Sequence, residues 1–183
     1  TPDAYQQTLA EVARAQPEIM TLISGLPDDT IESSLKSMAE SGTAIVQITP
    51  QAGEEPNEIV GSVMQGPPFW EVSGEAAALK ILAAAGEPFE SAVVRDPSFG
   101  FSQPAQEAYE ATIKKYCPEC GVDLIPVSLV APGPEQLAQV INYLRQHSDV
   151  KYLFYNNSDQ AGGLPEGLAA AGLSDVQFVT VSP

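Results

Sequence analysis

Four consecutive hydrogen-bonding side chains, Asn156, Asn157, Ser158 and Asp159, lie in the stretch YLFYNNSDQAGGLPEGLAAAG. They separate an apolar run from an Ala-rich run that ends in glycine, a pattern typical of a strand, a polar turn and a helix. Asn, Ser and Asp supply helix N-caps in any protein, but a cap needs only one such side chain. Four together also carry the donors and acceptors to bind a polar ligand. Two interpretations therefore remain: a turn with a helix cap, and a ligand-binding site.

A second candidate set combines aromatic and amide side chains. The stretch DPSFGFSQ supplies Phe99, Phe101 and Gln103 after another apolar run, and Phe69 and Trp70 follow a Gly-Pro-Pro sequence. Aromatic rings can stack on the C–H face of a sugar, while amides pair with its hydroxyl groups. Packing in the protein core is the alternative interpretation for all four aromatic residues.

The two cysteines, Cys117 and Cys120, form a Cys-x-x-Cys sequence after a helical run and before a strand. A thiol redox pair sits at a helix N-terminus, which is the opposite end. A tetrahedral zinc site lacks ligands, because the sequence has only these cysteines and His147. We favour a local structural disulfide, which suits an oxidising compartment, over free thiols or a catalytic pair.

Catalytic and cofactor motifs are missing from the sequence. Neither a dinucleotide-binding Gly-x-Gly-x-x-Gly, a phosphate-binding Gly-x-x-x-x-Gly-Lys-Ser/Thr nor a Gly-x-Ser-x-Gly elbow occurs. His147 lies between a predicted helix end and the next strand, so it is at the wrong sheet edge for a triad with the candidate residues. The sequence predicts no enzyme activity, no metal and no cofactor. An enzyme that uses Asp96 or Asp159 as acid or base is the alternative.

Composition excludes several classes of partner. The chain has 24 acidic residues against 8 Lys and Arg, a formal net charge of −16. Such a surface repels phosphate groups, which argues against binding to nucleic acid or to anionic membranes. No apolar stretch is long enough to insert into a membrane. With 183 residues, 44% of them hydrophobic, the chain can bury the core of one or two domains.

Apolar runs alternate with amphipathic stretches along the chain. Seven runs have the length and the Val, Ile and aromatic content of buried strands: 19–24, 43–49, 58–64, 91–96, 122–129, 151–155 and 176–182. Helical stripes lie between them, and Gly42, Gly86, Gly121 and Gly172 are placed as helix C-caps. Alternation of this kind predicts an α/β fold with parallel sheets and right-handed crossovers.

The alternation of apolar and amphipathic stretches is interrupted at Gly66-Pro67-Pro68, after a loop rich in Pro, Gly and Glu. Consecutive prolines cannot continue a central strand or a helix interior. We expect a hinge there, with a partial first α/β lobe at 1–66, a second lobe at 67–183 and a helix that starts near Glu71. Ligands of parallel sheets bind beyond the carboxyl ends of strands, where Thr49 joins the candidates named above.

Three stretches resemble one known family. YLFYNNSDQAGGLPEGLAAAGLSDVQFVTVS is similar to the strand–Asp–helix–Gly–strand signature of type I periplasmic solute-binding proteins, the sugar-type family related to LacI-like sensor domains. PEIMTLISGLPDDTIESSLKSMAESGTAIVQIT resembles a segment of that family's first lobe, and EVSGEAAALKILAAAGEPFESAVVRD resembles the helix that crosses into its second lobe.

The resemblance implies two Rossmann-like lobes that close on a small polar solute, with delivery to the permease of an ABC importer outside the cytoplasmic membrane. It places ligand contacts on the following residues: Thr49, Phe69, Trp70, Gln103, Asn157, Ser158 and Asp159. Two positions depart from the sugar-type pattern. Thr49-Pro50 stands where the family commonly has Asp-Arg, and Ser158 stands where it commonly has an acid.

The family also starts earlier and ends later than this chain, which we therefore expect to be the middle portion of a longer protein. The alternative function is that of a ligand-sensing domain of a signalling receptor with the same fold.

Overall fold

The computed structural model describes residues 2–23, 28–48, 58–64, 66–128 and 133–181. The chain forms two compact units. The first comprises Thr1–Trp70 with Phe99–Phe101, and the second comprises Glu71–Ser98 with Ser102–Pro183. The lobe boundary expected near Gly66 stays a prediction.

The first unit is a three-stranded parallel sheet with helices. Its elements are α1 (Pro2–Ala15), β1 (Ile19–Ile23), α2 (Asp28–Glu40), β2 (Ala44–Ile48) and β3 (Ser62–Met64), and the strands lie in the order β1-β2-β3. Ile31, Leu35 and Met38 of α2 are buried, as their helical spacing predicts, and pack in one core with Ile45 of β2.

The second unit is a four-stranded parallel sheet. Helix α3 spans Pro67–Ala85 and belongs to this unit from Glu71 on. The other elements are β4 (Glu90–Arg95), α4 (Gln103–Tyr116), β5 (Gly121–Pro126), α5 (Pro134–Gln146), β6 (Val150–Tyr155), α6 (Leu164–Ala171) and β7 (Gln177–Thr180). The strands lie in the order β5-β4-β6-β7. The central strands β4 and β6 are buried on both faces, which explains their continuous apolar runs.

A strand overlaps each of the seven predicted runs, although β3 occupies only Ser62–Met64 of the run 58–64, and the parallel α/β class is confirmed. His147 caps the end of α5, before β6, as predicted. The predicted disulfide is confirmed as well: Cys117 and Cys120 are bonded, and Cys120 Sγ accepts a hydrogen bond of 3.3 Å from the backbone N–H of Phe89.

Three local predictions are wrong. Helix α3 begins at Pro67 rather than near Glu71, because proline is well suited to the first helical turn, where no intrahelical partner for the N–H is needed. Gly121 is no left-handed helix cap: α4 ends at Tyr116, and Gly121 opens β5. The helical spacing of positions 105, 108, 109, 112, 113 and 116 predicts one buried stripe, but Tyr116 is 57% exposed. No helix within the described ranges is both long and apolar enough to cross a membrane.

Candidate functional site

The carboxyl ends of β4 and β6 are neighbours in the second unit, and polar residues follow both. Val94 pairs with Tyr155 at the last rung, so the chain leaves the two strands side by side. We call residues 95–98, 102 and 156–160 the carboxyl edge. In open parallel sheets this is the edge beyond which ligands bind.

Asn156 connects the two strand ends. It is 2% exposed, and its Nδ2 donates a hydrogen bond of 2.8 Å to the backbone carbonyl of Ser102, where α4 begins. Its Oδ1 has no hydrogen-bond partner among the described residues. Asn156 therefore fixes the turn after β6 against the start of α4 and leaves one buried acceptor.

Asn157 is the helix cap that its residue type predicts. Its backbone is extended, with φ −134° and ψ 123°, and its Oδ1 accepts a hydrogen bond of 3.1 Å from the backbone N–H of Asp159. A short 3-10 turn, Ser158–Ala161, follows. Asn157 and Ser158 are half-buried, and Asp159 is exposed. Asn157 is thus the N-cap of this turn.

Gln160 is a site residue that the sequence interpretation missed. It is 8% exposed, and its Oε1 has no hydrogen-bond partner in the described part of the chain. A buried amide oxygen without a partner is costly, so natural structures rarely keep one without a use. The clue in the sequence is its place in the same turn, four residues after Asn156.

Arg95 and Asp96 form the other half of the edge, and Arg95 was also missed. Arg95 is 7% exposed; its guanidinium donates to Gln106 Oε1 and, over 3.2 Å, to the carbonyl of Asp96. Asp96 Oδ1 accepts from the N–H of Ser98 at 2.9 Å and from its hydroxyl at 2.5 Å. These bonds hold the loop after β4 in one conformation.

The charge of Arg95 is buried among carboxylates. Burial lowers the pKa of Arg95, and the negative charges of Asp96, Glu107 and Glu110 act in the opposite direction. A guanidinium remains charged throughout the physiological range, so Arg95 is a permanent cation behind this edge.

The remaining predicted ligand residues belong partly to the first unit and partly to the second. Gln103 is exposed as the first residue of α4, and its Nε2 donates to Glu107 Oε1 at 2.7 Å. Phe69 and Trp70 belong to the first unit, in edge-to-face contact at 5.2 Å, with Phe69 40% and Trp70 6% exposed. Phe99 is half-buried.

Two further predicted positions fall outside this description. Phe101 is in a 3-10 turn, but the surroundings of its side chain are outside the described set, and Thr49 lies outside the described residues altogether. Their ligand roles stay predictions.

The carboxyl edge has the chemistry of a binding site for hydroxyl groups. Amide oxygens, a hydroxyl and carboxylates can accept hydrogen bonds, and amide nitrogens can donate them. The single histidine is elsewhere in the unit: His147 stacks on Tyr143 at 4.1 Å, beyond the end of α5. Among the described ranges, no three His, Cys, Asp or Glu side chains converge as metal ligands.

Comparison with known proteins gives a structural answer only. No family model matches the chain, and no curated protein is similar in sequence. A 5-methylthioribose transporter solute-binding protein from Thermotoga lettingae, solved with 5-methylthioribose, superimposes with a TM-score of 0.80 at 11% identity. The alignment covers 98% of this chain and 55% of that one.

Two further solved structures agree. A protein described as a LacI transcriptional regulator from Bacteroides fragilis has a TM-score of 0.76 at 17% identity, over 98% of this chain and 61% of that one. An ABC transporter solute-binding protein from Agrobacterium vitis with bound allitol has a TM-score of 0.71 at 17% identity, with the same coverage of 98% and 61%. The chain has the type I periplasmic-binding-protein fold.

This type I fold matches the expected class, and the chain spans about 55–61% of the length of these three structures. Their descriptions name solute binding and regulation, and none names a catalytic activity. At 11–17% identity the similarity shows the fold alone. The ligand and the partners have to be inferred from the residues of the site.

Proposed function

We propose that the protein binds a small polyhydroxylated solute, a sugar or a polyol, through the carboxyl edge of its second unit. The observation that carries this proposal is the pair of buried amide oxygens without partners, Asn156 Oδ1 and Gln160 Oε1. Ligand hydroxyl groups are suitable donors to both atoms. Solved structures of the same fold hold 5-methylthioribose, allitol and D-arabinose, which are solutes of this chemistry.

In this proposal the solute is delivered to the permease of an ABC importer outside the cytoplasmic membrane. Support comes from the fold, which several ABC solute-binding proteins share, and from the Cys117–Cys120 disulfide, which persists in oxidising compartments. We assign binding rather than catalysis, because the compared structures of this fold are described as solute-binding and regulatory proteins.

A ligand-sensing domain is the second candidate, favoured by the similarity to the Bacteroides fragilis regulator. Both candidates bind the solute in the same way, and they differ in what the bound form contacts. Reconstitution with the permease encoded beside the gene, or with a neighbouring receptor kinase, would separate them: only the true partner's ATPase or kinase activity responds to the solute.

Solute binding itself is tested by calorimetry and thermal melting of the full-length protein with pentoses, hexoses, hexitols and 5-methylthioribose. A ligand at free concentration c stabilises the folded state by RT ln(1 + c/Kd), so the melting temperature rises with the logarithm of its concentration above Kd. Gln160→Leu should weaken binding about tenfold to a hundredfold, the effect of one lost contact in a closed site. Gln146→Leu, an exposed substitution at the end of α5, is the control. If no member of the panel binds at millimolar concentration, the proposal is wrong.

A further inference from the structure

Helix α3 has an exposed face that is mostly apolar. Its exposed residues include Val72, Ala76, Leu79 and Ala83, with Val72 65% and Leu79 43% exposed. Their spacing of four, three and four residues places them in one stripe along the helix. The opposite face is buried in the unit by Ala77, Ala78 and Ile81. A helix that is apolar on both faces normally has both covered.

A groove of about 430 Å³ runs along the same face between α3 and α4. Its lining combines apolar side chains, Val72, Pro104, Ala108 and Ala111, with an acidic rim of Glu71, Glu75 and Glu107. The two helices approach closely at this point: a Cβ added to Gly74 would lie 2.0 Å from the carbonyl oxygen of Ala105. We call this feature the acidic groove.

The complementary group is on the same helix. Lys80 follows the exposed Leu79, is itself exposed, and has no ion-pair partner among the described residues. It is the only basic residue of α3, whose other two charged residues are Glu71 and Glu75 of the groove. One half of the exposed face therefore presents a hydrophobic side chain beside a cation, and the other half presents an apolar groove with an acidic rim.

We propose that this face is a self-association surface and that its occupant is a second copy of the same chain. Two α3 helices pack antiparallel across a twofold axis near Ala76. Leu79 of each protomer then enters the acidic groove of its partner, and Lys80 lies against Glu75. Such a contact is isologous, because Leu79 of each protomer enters the acidic groove of the other.

Local charge complementarity identifies the occupant, because the acidic groove suits an apolar side chain beside a cation, and Leu79 with Lys80 of a second copy supplies both. The chain has a formal net charge of −16, so two copies repel one another unless the contact brings opposite charges together. The proposed pairing places two lysines against two acidic rims. Because one helix face is small by the standard of stable dimers, we expect a dissociation constant in the micromolar range. This inference does not rest on the proposed solute.

Sedimentation velocity at physiological salt tests it, with protein concentration raised from about 1 to 300 μM to move the monomer–dimer equilibrium. The wild-type protein should shift from monomer to dimer. Leu79→Glu, Lys80→Glu and Glu75→Lys should each weaken the dimer by tenfold or more. Lys36→Glu, an equal charge change on the exposed side of α2 in the first unit, should leave it unchanged.

The decisive variant combines Glu75→Lys with Lys80→Glu. If the two residues meet across the interface, the exchange restores opposite charges, and dimerisation should recover relative to either single substitution. Because all these positions are exposed, circular dichroism should show an unchanged fold. A protein that stays monomeric at every concentration, a dimer that the single substitutions leave intact, or a double variant no tighter than the single ones would each overturn the proposal.

Discussion

Asn156 donates to the carbonyl of Ser102, Asn157 accepts from the N–H of Asp159, and the side chain of Asp159 is exposed. These neighbouring polar residues therefore have different environments, although their sequence pattern is uniform. Loss of a buried hydrogen bond costs more free energy of unfolding than loss of a cap, and loss of an exposed carboxylate costs least. The effect of each side chain on stability can therefore be measured separately from its effect on ligand binding.

We expect Asn156→Ala to lower the free energy of unfolding by about 1–3 kcal/mol, because the buried hydrogen bond from Asn156 to the Ser102 carbonyl is lost. Asn157→Ala should cost about 1 kcal/mol as a lost cap. Asp159→Ala should stay within about 0.5 kcal/mol, as surface substitutions do. Urea denaturation measures all three. Equal losses for the three variants would show that burial does not rank them.

Once the free energy of unfolding of each variant is known, the affinity of Asp159→Ala for the solute becomes informative. A tenfold or larger loss of affinity at unchanged stability would assign Asp159 to the ligand. Unchanged affinity in both Asn157→Ala and Asp159→Ala would reduce this part of the turn to a structural element.

Two buried tyrosines should make the protein sensitive to alkali. Burial raises the pKa of Tyr109 to about 12, with Ser91 acting weakly in the opposite direction, and burial also raises the pKa of Tyr155. In the unfolded chain a tyrosine ionises near pH 10. Between pH 10 and 12 the unfolded state therefore holds fewer protons than the folded state, and stability falls as pH rises.

The prediction is a full free energy of unfolding below about pH 10 and a loss of about 1–3 kcal/mol per tyrosine as the pH approaches 12. Tyr109→Phe keeps the ring stacked on Phe154, 5.1 Å between centroids, and removes the hydroxyl. Its unfolding free energy should decline less steeply above pH 10. Exposed Tyr116 provides the control, Tyr116→Phe, which should follow the wild-type curve.

Among the elements, the strands were predictable and some boundaries were not. The run SAVVRD predicts β4 because a strand buried on both faces needs continuous apolar side chains. The start of α3 was misplaced because proline both ends helices and opens them, and only the surrounding chain decides between these roles. Gly121 fits a helix cap by sequence, yet it opens β5 with the Glu90 carboxylate packed against it.

The candidate site was only partly predictable for a related reason. Residue type suggested the turn 156–159, but the burial of Gln160 and Arg95 depends on which strands are neighbours. The pairing of β4 with β6, which are not consecutive in the chain, brings these residues to one edge. Sequence patterns do not contain that order, so both residues were missed.

The close packing of α3 on α4 can be tested by substitution of Gly74. Glycine inside a helix normally costs about 1 kcal/mol relative to alanine, so Gly→Ala should stabilise. At Gly74 the new Cβ would lie 2.0 Å from the Ala105 carbonyl oxygen, and the helices would have to separate. We expect Gly74→Ala to destabilise by about 1–3 kcal/mol, as overpacked cores do.

Gly167→Ala in α6 is the matched control. The atoms nearest to its Cβ would be those of the Leu137 side chain, from 3.0 Å, and a leucine tip can move aside. Thermal melting of the two variants should therefore show a clear loss for Gly74→Ala and little change or a gain for Gly167→Ala. A stabilised Gly74→Ala would show that α3 and α4 have room to adjust.

For the whole molecule, fold and ligand are specified at different levels. The alternation of apolar runs is enough to define an α/β chain, and structures with 11–17% identity share it. The ligand depends on a few hydrogen-bonding side chains, and these can change without cost to the core. A sequence therefore predicts the fold class of this protein more securely than its solute.

The last prediction concerns closure. The ligand residues that the family resemblance predicts come from both compact units, with Phe69 and Trp70 in the first and Asn157 and Asp159 in the second. A solute that contacts both sets shifts the population toward conformations in which the two sets are close together, in proportion to its affinity difference between open and closed states. We therefore expect small-angle scattering to show a smaller radius of gyration at saturating solute.

Saturation is verified by calorimetry on the same sample, and Trp70 fluorescence follows the same titration, since this is the only tryptophan. An Asn157→Ala/Asp159→Ala double variant that no longer binds supplies the control and should keep the open profile with solute present. A binding-competent protein whose scattering profile is identical with and without saturating solute would show that the solute is held by the second unit alone. The predicted ligand roles of Phe69 and Trp70 would then be wrong, while the carboxyl edge would remain the site.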